Sequence, residues 1–268
     1  MIISSNSALN PSTRVERVVS LNSLGADIVF RLDETKLVGR PGTQLLEGDC
    51  KISQVTSVSQ GQMLPELEKI TSLNPDLVIC SAGFHSGIAK KLEQQGIHVL
   101  LTHTDNWSDL ISLTETLAGF IEANPAQLLS EYQNIVGSKF VNTPRTLVLV
   151  AKDPILAPNK DSWASDILYQ LGINSLTHEF ESSSPRKGFA SLSSEQIKAE
   201  NPEALIVIST EREPLIEYYN LQPFWNELEA VQTNRVFLFD YYGLIIPGSI
   251  KAIEETVNKL KLMYSKLE

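Results

Sequence analysis

The sequence predicts an α/β protein of two Rossmann-like lobes with parallel sheets, joined by a single long helix, with a cleft between the lobes. Short apolar stretches alternate with amphipathic helical patterns on both sides of residues 107–142, which favours parallel sheets covered by helices. Residues 107–142 themselves have helical periodicity and are expected to form one continuous helix. A chain of 268 residues is also long enough for two domains. We therefore predict an N-terminal lobe at 1–122, a linking helix at 123–143 and a C-terminal lobe at 144–268.

The N-terminal lobe should begin with a buried apolar strand, followed by a helix that Asn22 or Ser23 can cap. Asn74-Pro75 should end a later helix, because the residue before a proline avoids the helical region. Residues 43–62 are polar with little periodicity and are expected to form a long loop. The expected strands are 17–21, 37–39, 77–80 and 98–102, and the expected helices are 24–32, 66–73 and 87–95.

The linking segment carries helix signals at both ends. Asn124 can cap the first N–H groups, and Pro125 suits the first helical position, where no amide donor is needed. Pro144 should end the pattern. The apolar residues between them recur at helical spacing and share one face: Leu128, Leu129, Tyr132, Ile135, Val136 and Phe140.

The C-terminal lobe repeats the alternation. Strands are expected at 146–151, 205–209 and 236–239, and helices at 162–171, 194–200, 223–228 and 249–262. A Glu-x-Ile pattern, followed by Asn-Pro and an acidic residue, starts at residue 68 and again at residue 195, an offset of 127 (195 − 68). This repeat indicates duplication of one lobe, although such a pattern is also a common corner between a helix and a strand.

Composition excludes several classes of partner. The formal net charge of −10 argues against nucleic acid and anionic membranes, because both are polyanions. No apolar stretch approaches the ~20 residues of a membrane-spanning helix, and no basic segment with an apolar core marks a secretory signal. If the sequence is complete, it therefore predicts a cytoplasmic protein. Cys50 and Cys80 give no disulfide framework and leave the redox compartment open.

Ligands of open parallel sheets bind beyond the carboxyl ends of the strands. Tyr241 and Tyr242 directly follow an expected strand and offer apolar rings with a polar tip, and a phenolate can also ligate ferric iron. Arg40 could neutralise an anionic ligand or form a surface salt bridge. His85 and His103 could share a metal or be separate hydrogen-bonded histidines. The residues that this reasoning assigns to the ligand are Asn22, Arg40, Phe84, His85, Trp163, Phe189, Tyr241 and Tyr242. Phe84, Trp163 and Phe189 could equally be ordinary core residues, and the two tyrosines could be half-buried surface residues.

Catalytic patterns are scarce. The sequence has no Gly-rich phosphate loop, no Gly-x-Ser-x-Gly elbow and no His-Glu-x-x-His. Ser81 and His85 could be imagined as a nucleophile and a base, yet nothing marks an orienting acid. We therefore predict that the protein is not an enzyme and has no cofactor or resident metal.

Four stretches, in their order and spacing, resemble the cobalamin, haem and ferric-siderophore class of ABC-transporter substrate-binding proteins, the periplasmic binding proteins with a helical spine. RVVSLNSLGADIVFRL (17–32), followed by KLVGR, resembles the family's opening strand, helix and second strand. LPELEKITSLNPDLVIC (64–80) and SLSSEQIKAENPEALIVIS (191–209) resemble its helix-to-strand segments in the two lobes. FWNELEAVQTNRVFLFD (224–240) is similar to its Trp-x-x-Leu-x-Ala-Val-x-x-x-Arg-Val signature.

The resemblance implies a shallow cleft, limited hinge motion, and capture of a ferric siderophore, cobalamin or haem for an ABC permease. The positions at which vitamin B12-binding relatives tend to place bulky aromatic residues are Ser59, Ser81, Phe189 and Tyr241. Because two of these are serines, tight corrinoid stacking is not expected. Relatives dock to the permease through one exposed acidic residue per lobe, and the matching places carry Gly87 and Gly243. The resemblance also implies a periplasmic or membrane-associated protein, and we expect a monomer.

Two other functions stay open. A soluble metal-binding or cluster-binding protein of enzyme-like character, not linked to transport, could use the same cleft with His85 and His103 or the cysteines as ligands. Stoichiometric, tightly bound zinc or iron would distinguish it. A degenerate interaction module with an empty cleft is the third alternative, in which replacing Tyr241 and Tyr242 would alter no small-molecule binding.

Overall fold

The protein is described by a computed structural model that covers residues 14–60, 63–181, 184, 187–209 and 215–267, together with the backbone of Ile3–Ser4. The chain forms two compact units. Unit 1 comprises Met1–Thr104, Ser108–Tyr132 and Gly248–Ile250. Unit 2 comprises Asp105–Trp107, Gln133–Pro247 and Lys251–Glu268. Among the helices of the described ranges, none combines the length and apolar character needed to cross a bilayer.

Unit 1 contains a six-stranded sheet. Its strands are β1 (Ile3–Ser4), β2 (Val18–Ser20), β3 (Leu37–Arg40), β4 (Thr56–Ser57), β5 (Leu77–Ser81) and β6 (His98–Thr102), in the order β1-β6-β5-β2-β3-β4. All pairs are parallel except β1 with β6. Its helices include α1 (Ser23–Leu32), α2 (Leu67–Ser72) and α3 (Ser86–Gln94). The four strands and three helices expected from the sequence are confirmed, whereas β1 and β4 were not predicted.

The apolar patterns explain this core. Val19, Val78, Cys80 and Leu92 are buried in one cluster, because β2 and β5 are covered by helices and therefore need apolar side chains on both faces. The expected long loop at 43–62 holds two short 3₁₀ helices (Gln44–Leu46 and Ile52–Gln54) and β4.

The linking segment is not one continuous helix, and that prediction was wrong. The structure contains α4 (Trp107–Phe120) and α5 (Ala126–Val136). They are separated because Glu122 adopts a positive φ of 56° and because Pro125 disfavours helix at the residue before it. The Asn124 side chain accepts a hydrogen bond from the Ala126 N–H (3.0 Å), as a cap should. Gly137, with φ +64°, follows the end of α5, so the helix stops short of the expected residue 142.

Unit 2 contains two three-stranded sheets. The parallel sheet has the order β12-β11-β7, formed by β7 (Thr146–Leu149), β11 (Ala204–Ser209) and β12 (Val236–Asp240). The antiparallel sheet has the order β10-β9-β8, formed by β8 (Ala151–Lys152), β9 (Ile155–Pro158) and β10 (Phe189–Leu192). The parallel sheet is confirmed, and the antiparallel sheet was not predicted.

Over its described residues, unit 2 has helices at three of the four expected places, 162–171, 194–200 and 249–262, and three further helices that were not predicted. Together they are α6 (Trp163–Gln170), α7 (Ser194–Glu200), α8 (Leu215–Asn220), α9 (Glu229–Gln232), α10 (Tyr241–Leu244) and α11 (Ile250–Tyr264). The helix expected at 223–228 is instead a 3₁₀ turn, Trp225–Glu227, that leads into α9.

The sequence repeat builds the same local structure in both units. In each copy the asparagine adopts a left-handed conformation, with φ of 45° and 40°. The acidic residue that follows then accepts a hydrogen bond, through its carboxylate, from the backbone directly before a neighbouring strand. Asp76 accepts from the Arg17 N–H (2.9 Å), before β2, and Glu203 accepts from the Arg145 N–H (2.7 Å), before β7. The backbone N–H groups of Asp76 and Glu203 return to the carbonyls of the same two arginines. This recurrence is what the duplication hypothesis predicts.

Candidate functional site

The carboxyl ends of five parallel strands lie at one edge of the unit 1 sheet. β3 and β4 lie on one side of β2, and β5 and β6 lie on the other, so the strand order reverses between β2 and β5. Such a reversal is where ligands of open α/β sheets bind. The structure brings to this edge the predicted residues Asn22, Arg40, Ser59, Ser81, Phe84 and His85.

Asn22 joins the ends of two strands. Its side-chain oxygen accepts from the Gly25 N–H (2.7 Å) and caps α1, and its amide donates to Thr102 Oγ1 (3.2 Å). The Thr102 hydroxyl in turn donates to the Cys80 carbonyl (3.2 Å). Thr102 was missed from the sequence, although a polar residue that ends an apolar strand is the signal that marks it. A contact between Asn22 and a ligand stays a prediction.

Arg40 is a buried cation at the end of β3. It is 5% exposed, and its Nη atoms donate to the carbonyls of Pro41 (3.0 Å) and Ser53 (2.9 Å). Among the described residues, no carboxylate pairs with it and no acceptor reaches its Nε. The alternative of a surface salt bridge was therefore wrong. Lys36, directly before the start of the same strand, is equally buried but pairs with Glu16, and this hydrogen bond lowers the pKa of the Glu16 carboxyl.

Ser59 is buried beside the turn that follows Arg40. Its hydroxyl accepts from the Gly42 N–H (3.3 Å), and Ser57 Oγ donates to the Ser59 carbonyl (2.6 Å). A Cβ on Gly42 would overlap that carbonyl oxygen. This position therefore accepts only glycine, because the two backbone segments approach closely.

The loop after β5 carries Ser81, Phe84 and His85. Phe84 is 67% exposed, whereas His85 is 4% exposed. The Ser81 backbone N–H donates to His85 Nδ1 (2.9 Å), and burial lowers the pKa of this imidazole. Because the backbone of Ser81 makes this bond, the side chains do not form a nucleophile–base pair.

In the described part of the chain, no three His, Cys, Asp or Glu side chains come close enough together to hold a metal ion. His103 is exposed, whereas His85 is buried. Burial raises the pKa of the Cys80 thiol to about 12, which keeps it protonated, and a metal binds the thiolate. Cys50 and Cys80 are both free. Within the described residues, His85, His103 and the two cysteines are therefore not gathered into a metal site.

In unit 2 the aromatic candidates surround the end of β12. Tyr241 and Tyr242 follow this strand with their rings 5.8 Å apart and perpendicular, and Tyr242 is 37% exposed. Trp163 is only 2% exposed; its indole N–H donates to the Gly243 carbonyl (2.9 Å), and its ring stacks on Trp107 at 5.8 Å. Trp163 therefore holds the backbone of the turn that carries Tyr241 and Tyr242. A direct contact between Trp163 and a ligand stays a prediction.

Gly243 is enclosed in this turn. It has a positive φ of 88°, its N–H donates to the Ile246 carbonyl (2.8 Å), and a Cβ would overlap the Ala252 carbonyl and Thr256 Oγ1. Gly243 is buried, so it presents no surface for a permease, whereas Gly87 on α3 is exposed.

Phe189, the remaining candidate, opens β10 opposite Pro158 and is half-buried. Its position beside a ligand stays a prediction. Unit 1 thus has a polar edge at the carboxyl ends of its parallel strands, and unit 2 has, separately, an aromatic turn that carries Tyr241 and Tyr242.

Comparison with known proteins identifies related chains. A model of the periplasmic binding protein family matches residues 18–242. The chain is 26% identical over 212 residues to the Fe(3+)-citrate-binding protein YfmC of Bacillus subtilis (strain 168) and 25% identical over 184 residues to the Fe(3+) dicitrate-binding periplasmic protein FecB of Escherichia coli (strain K12). These matches cover 75% and 66% of this chain but 65% and 59% of the relatives, so the chain spans less than two thirds of their length.

The same fold occurs in solved structures. A possible iron-binding (periplasmic solute-binding) protein from Staphylococcus epidermidis aligns with a TM-score of 0.78 at 19% identity, over 94% of this chain and 99% of that chain. At this identity the likeness concerns the fold alone.

Proposed function

This chain belongs to the periplasmic binding protein family, and we propose that it captures an anionic ferric chelate of the iron–citrate type for uptake by an ABC transporter. The names of YfmC and FecB support an iron–citrate ligand, and their sequence similarity extends over most of this chain. In this role the protein works outside the cytoplasmic membrane, in the periplasm or anchored to the membrane. It binds its ligand without transforming it.

Within the described residues Arg40 has no counter-charge, and this observation carries the choice of ligand. A guanidinium is permanently charged, and a buried charge is costly unless an opposite charge or strong hydrogen bonds compensate it. Arg40 has two backbone acceptors, an unsatisfied Nε and no carboxylate partner among the described residues. Lys36 shows the contrast, since this buried cation, directly before the start of β3, pairs with the carboxylate of Glu16.

An iron–citrate complex supplies what Arg40 lacks. Its carboxylates bring negative charge to the edge where β3 ends, and this charge compensates the buried guanidinium through space. Arg40 ends β3 at the same edge as Asn22 and Ser81, where ligands of parallel sheets bind. Phe84, which is exposed on the loop after β5 in the same unit, then contributes an aromatic contact.

Calorimetric titration with ferric citrate tests this proposal. Wild-type protein should bind saturably, whereas cyanocobalamin, which carries no carboxylate, should not bind. Arg40→Met should weaken binding about 10- to 100-fold, the size expected when a charge interaction of about 1.4–2.7 kcal/mol is lost.

Lys36→Met is the matched control, because it removes a buried cation that lies directly before the start of the same strand. It should bind ferric citrate like the wild type. Equal affinities of the Arg40→Met and Lys36→Met variants, both shown by circular dichroism to be folded at the titration temperature, would contradict the role of Arg40.

A further inference from the structure

Two hydrogen bonds between the same residues close the loop between β5 and α3. The backbone N–H of Ser81 donates to His85 Nδ1 (2.9 Å), and the backbone N–H of His85 donates to the Ser81 carbonyl (3.1 Å). Within the loop Gly83 has a positive φ of 80°, and its carbonyl accepts from Ser86 Oγ (2.8 Å). The loop is thus held by hydrogen bonds among its own residues. One of them depends on a side-chain ring, the bond that the His85 imidazole accepts from Ser81.

The imidazole of His85 has a defined protonation state. Nδ1 accepts from a backbone N–H, so this nitrogen carries no proton and the ring is the neutral Nε2–H form. The ring is 4% exposed, and it contacts the neighbouring Phe84 ring edge-on at 4.9 Å. Phe84 itself is 67% exposed. A buried ring therefore lies directly behind an exposed aromatic side chain.

We infer that His85 is a positioning residue: its Nδ1 holds the Ser81–Ser86 loop so that the Phe84 ring is presented to the ligand. This inference rests on the proposed function, and it departs from the expectation that His85 itself contacts the ligand or a metal. A ring that is buried and bonded through Nδ1 to its own loop acts through Phe84. Phe84 contacts the ligand, and the conformation of the loop depends on His85.

Two substitutions separate the hydrogen bond from the bulk of the ring. His85→Asn retains an acceptor, because an asparagine side-chain oxygen can occupy the place of Nδ1, whereas His85→Leu has none. Amide hydrogen exchange at Ser81, measured by NMR on the unliganded protein, should stay slow in the wild type and in His85→Asn. It should become fast in His85→Leu.

Ferric citrate titration then links the loop to binding. His85→Leu should weaken binding about tenfold, the effect of one lost hydrogen bond, and His85→Asn should restore affinity to within a factor of about three. Phe84→Ala should weaken binding, and the Phe84→Ala/His85→Leu double variant should bind no more weakly than the worse single variant. Such non-additivity is expected because both changes remove the same contact.

The outcomes distinguish two failures. If the wild type binds no ferric citrate, the proposed function fails, and the Ser81 exchange rates still decide whether His85 holds the loop. Slow exchange in His85→Leu would overturn the inference. So would additive effects of the Phe84 and His85 substitutions, or an affinity of His85→Asn as weak as that of His85→Leu.

Discussion

Replacing Gly243 by alanine tests whether the turn that carries Tyr241 and Tyr242 is enclosed as tightly as its contacts indicate. At φ +88° an alanine is strained, at about 1–3 kcal/mol for a sparsely populated backbone conformation. Its Cβ would also overlap the Ala252 carbonyl and Thr256 Oγ1 in α11, and forced overpacking costs about another 1–3 kcal/mol. The free energy of unfolding should therefore fall by about 2–6 kcal/mol, a decrease in Tm of roughly 5–20 °C.

Gly137→Ala is the matched control in the same unit. Gly137 also has a positive φ, of 64°, but a Cβ there would meet only the flexible end of Lys261 at 3.1 Å and a backbone oxygen at 3.7 Å. Urea unfolding should show a loss of only about 1–2 kcal/mol, the cost of the left-handed conformation alone. If Gly243→Ala destabilises the protein no more than Gly137→Ala does, the enclosed turn is refuted.

Three further predictions concern single contacts. Trp163→Phe removes the donor to the buried Gly243 carbonyl and should lower the free energy of unfolding in urea by about 1–3 kcal/mol; an unchanged midpoint would contradict this. Asp27→Ala removes the acceptor of the Ile250 N–H (2.7 Å) at the start of α11 and should lower the free energy of unfolding in urea by about 1–2 kcal/mol. Asp27→Asn should lower it less, and equal decreases for the two variants would show that this acceptor is unimportant. Burial lowers the pKa of His85, so below pH ~6.5 the unfolded state binds more protons and Tm should fall as the pH decreases. In a Tm–pH series His85→Asn should show a shallower decrease, and an identical slope would contradict the assignment.

The parallel strands could be predicted because each is an apolar run between turn signals. The antiparallel sheet could not: β9 (Ile155–Pro158) contains an alanine and a proline, and its partner β10 lies about thirty residues further along the chain. Pairing over that distance leaves no local pattern. The break between α4 and α5 could have been predicted from the sequence. Pro125 was identified as a helix start, which implies that the preceding helix had ended.

The candidate site shows the same division between local signals and tertiary contacts. The position of Arg40 at a strand end follows from sequence, but its lack of a carboxylate partner depends on which side chains approach it in space. Trp163 was expected beside the ligand because it is aromatic and near a strand end. Its burial against Trp107 and its bond to Gly243 are long-range contacts, which no local pattern indicates.

The proposed ligand can be tested by native mass spectrometry of the wild-type protein in an equimolar mixture of ferric citrate, a ferric catecholate, haemin and cyanocobalamin. We expect one saturable complex whose added mass is that of a ferric citrate species, and we expect Arg40→Met to lose this complex. A complex with haemin or cyanocobalamin instead, or no complex at ligand concentrations that saturate a citrate-binding relative, would contradict the proposed function.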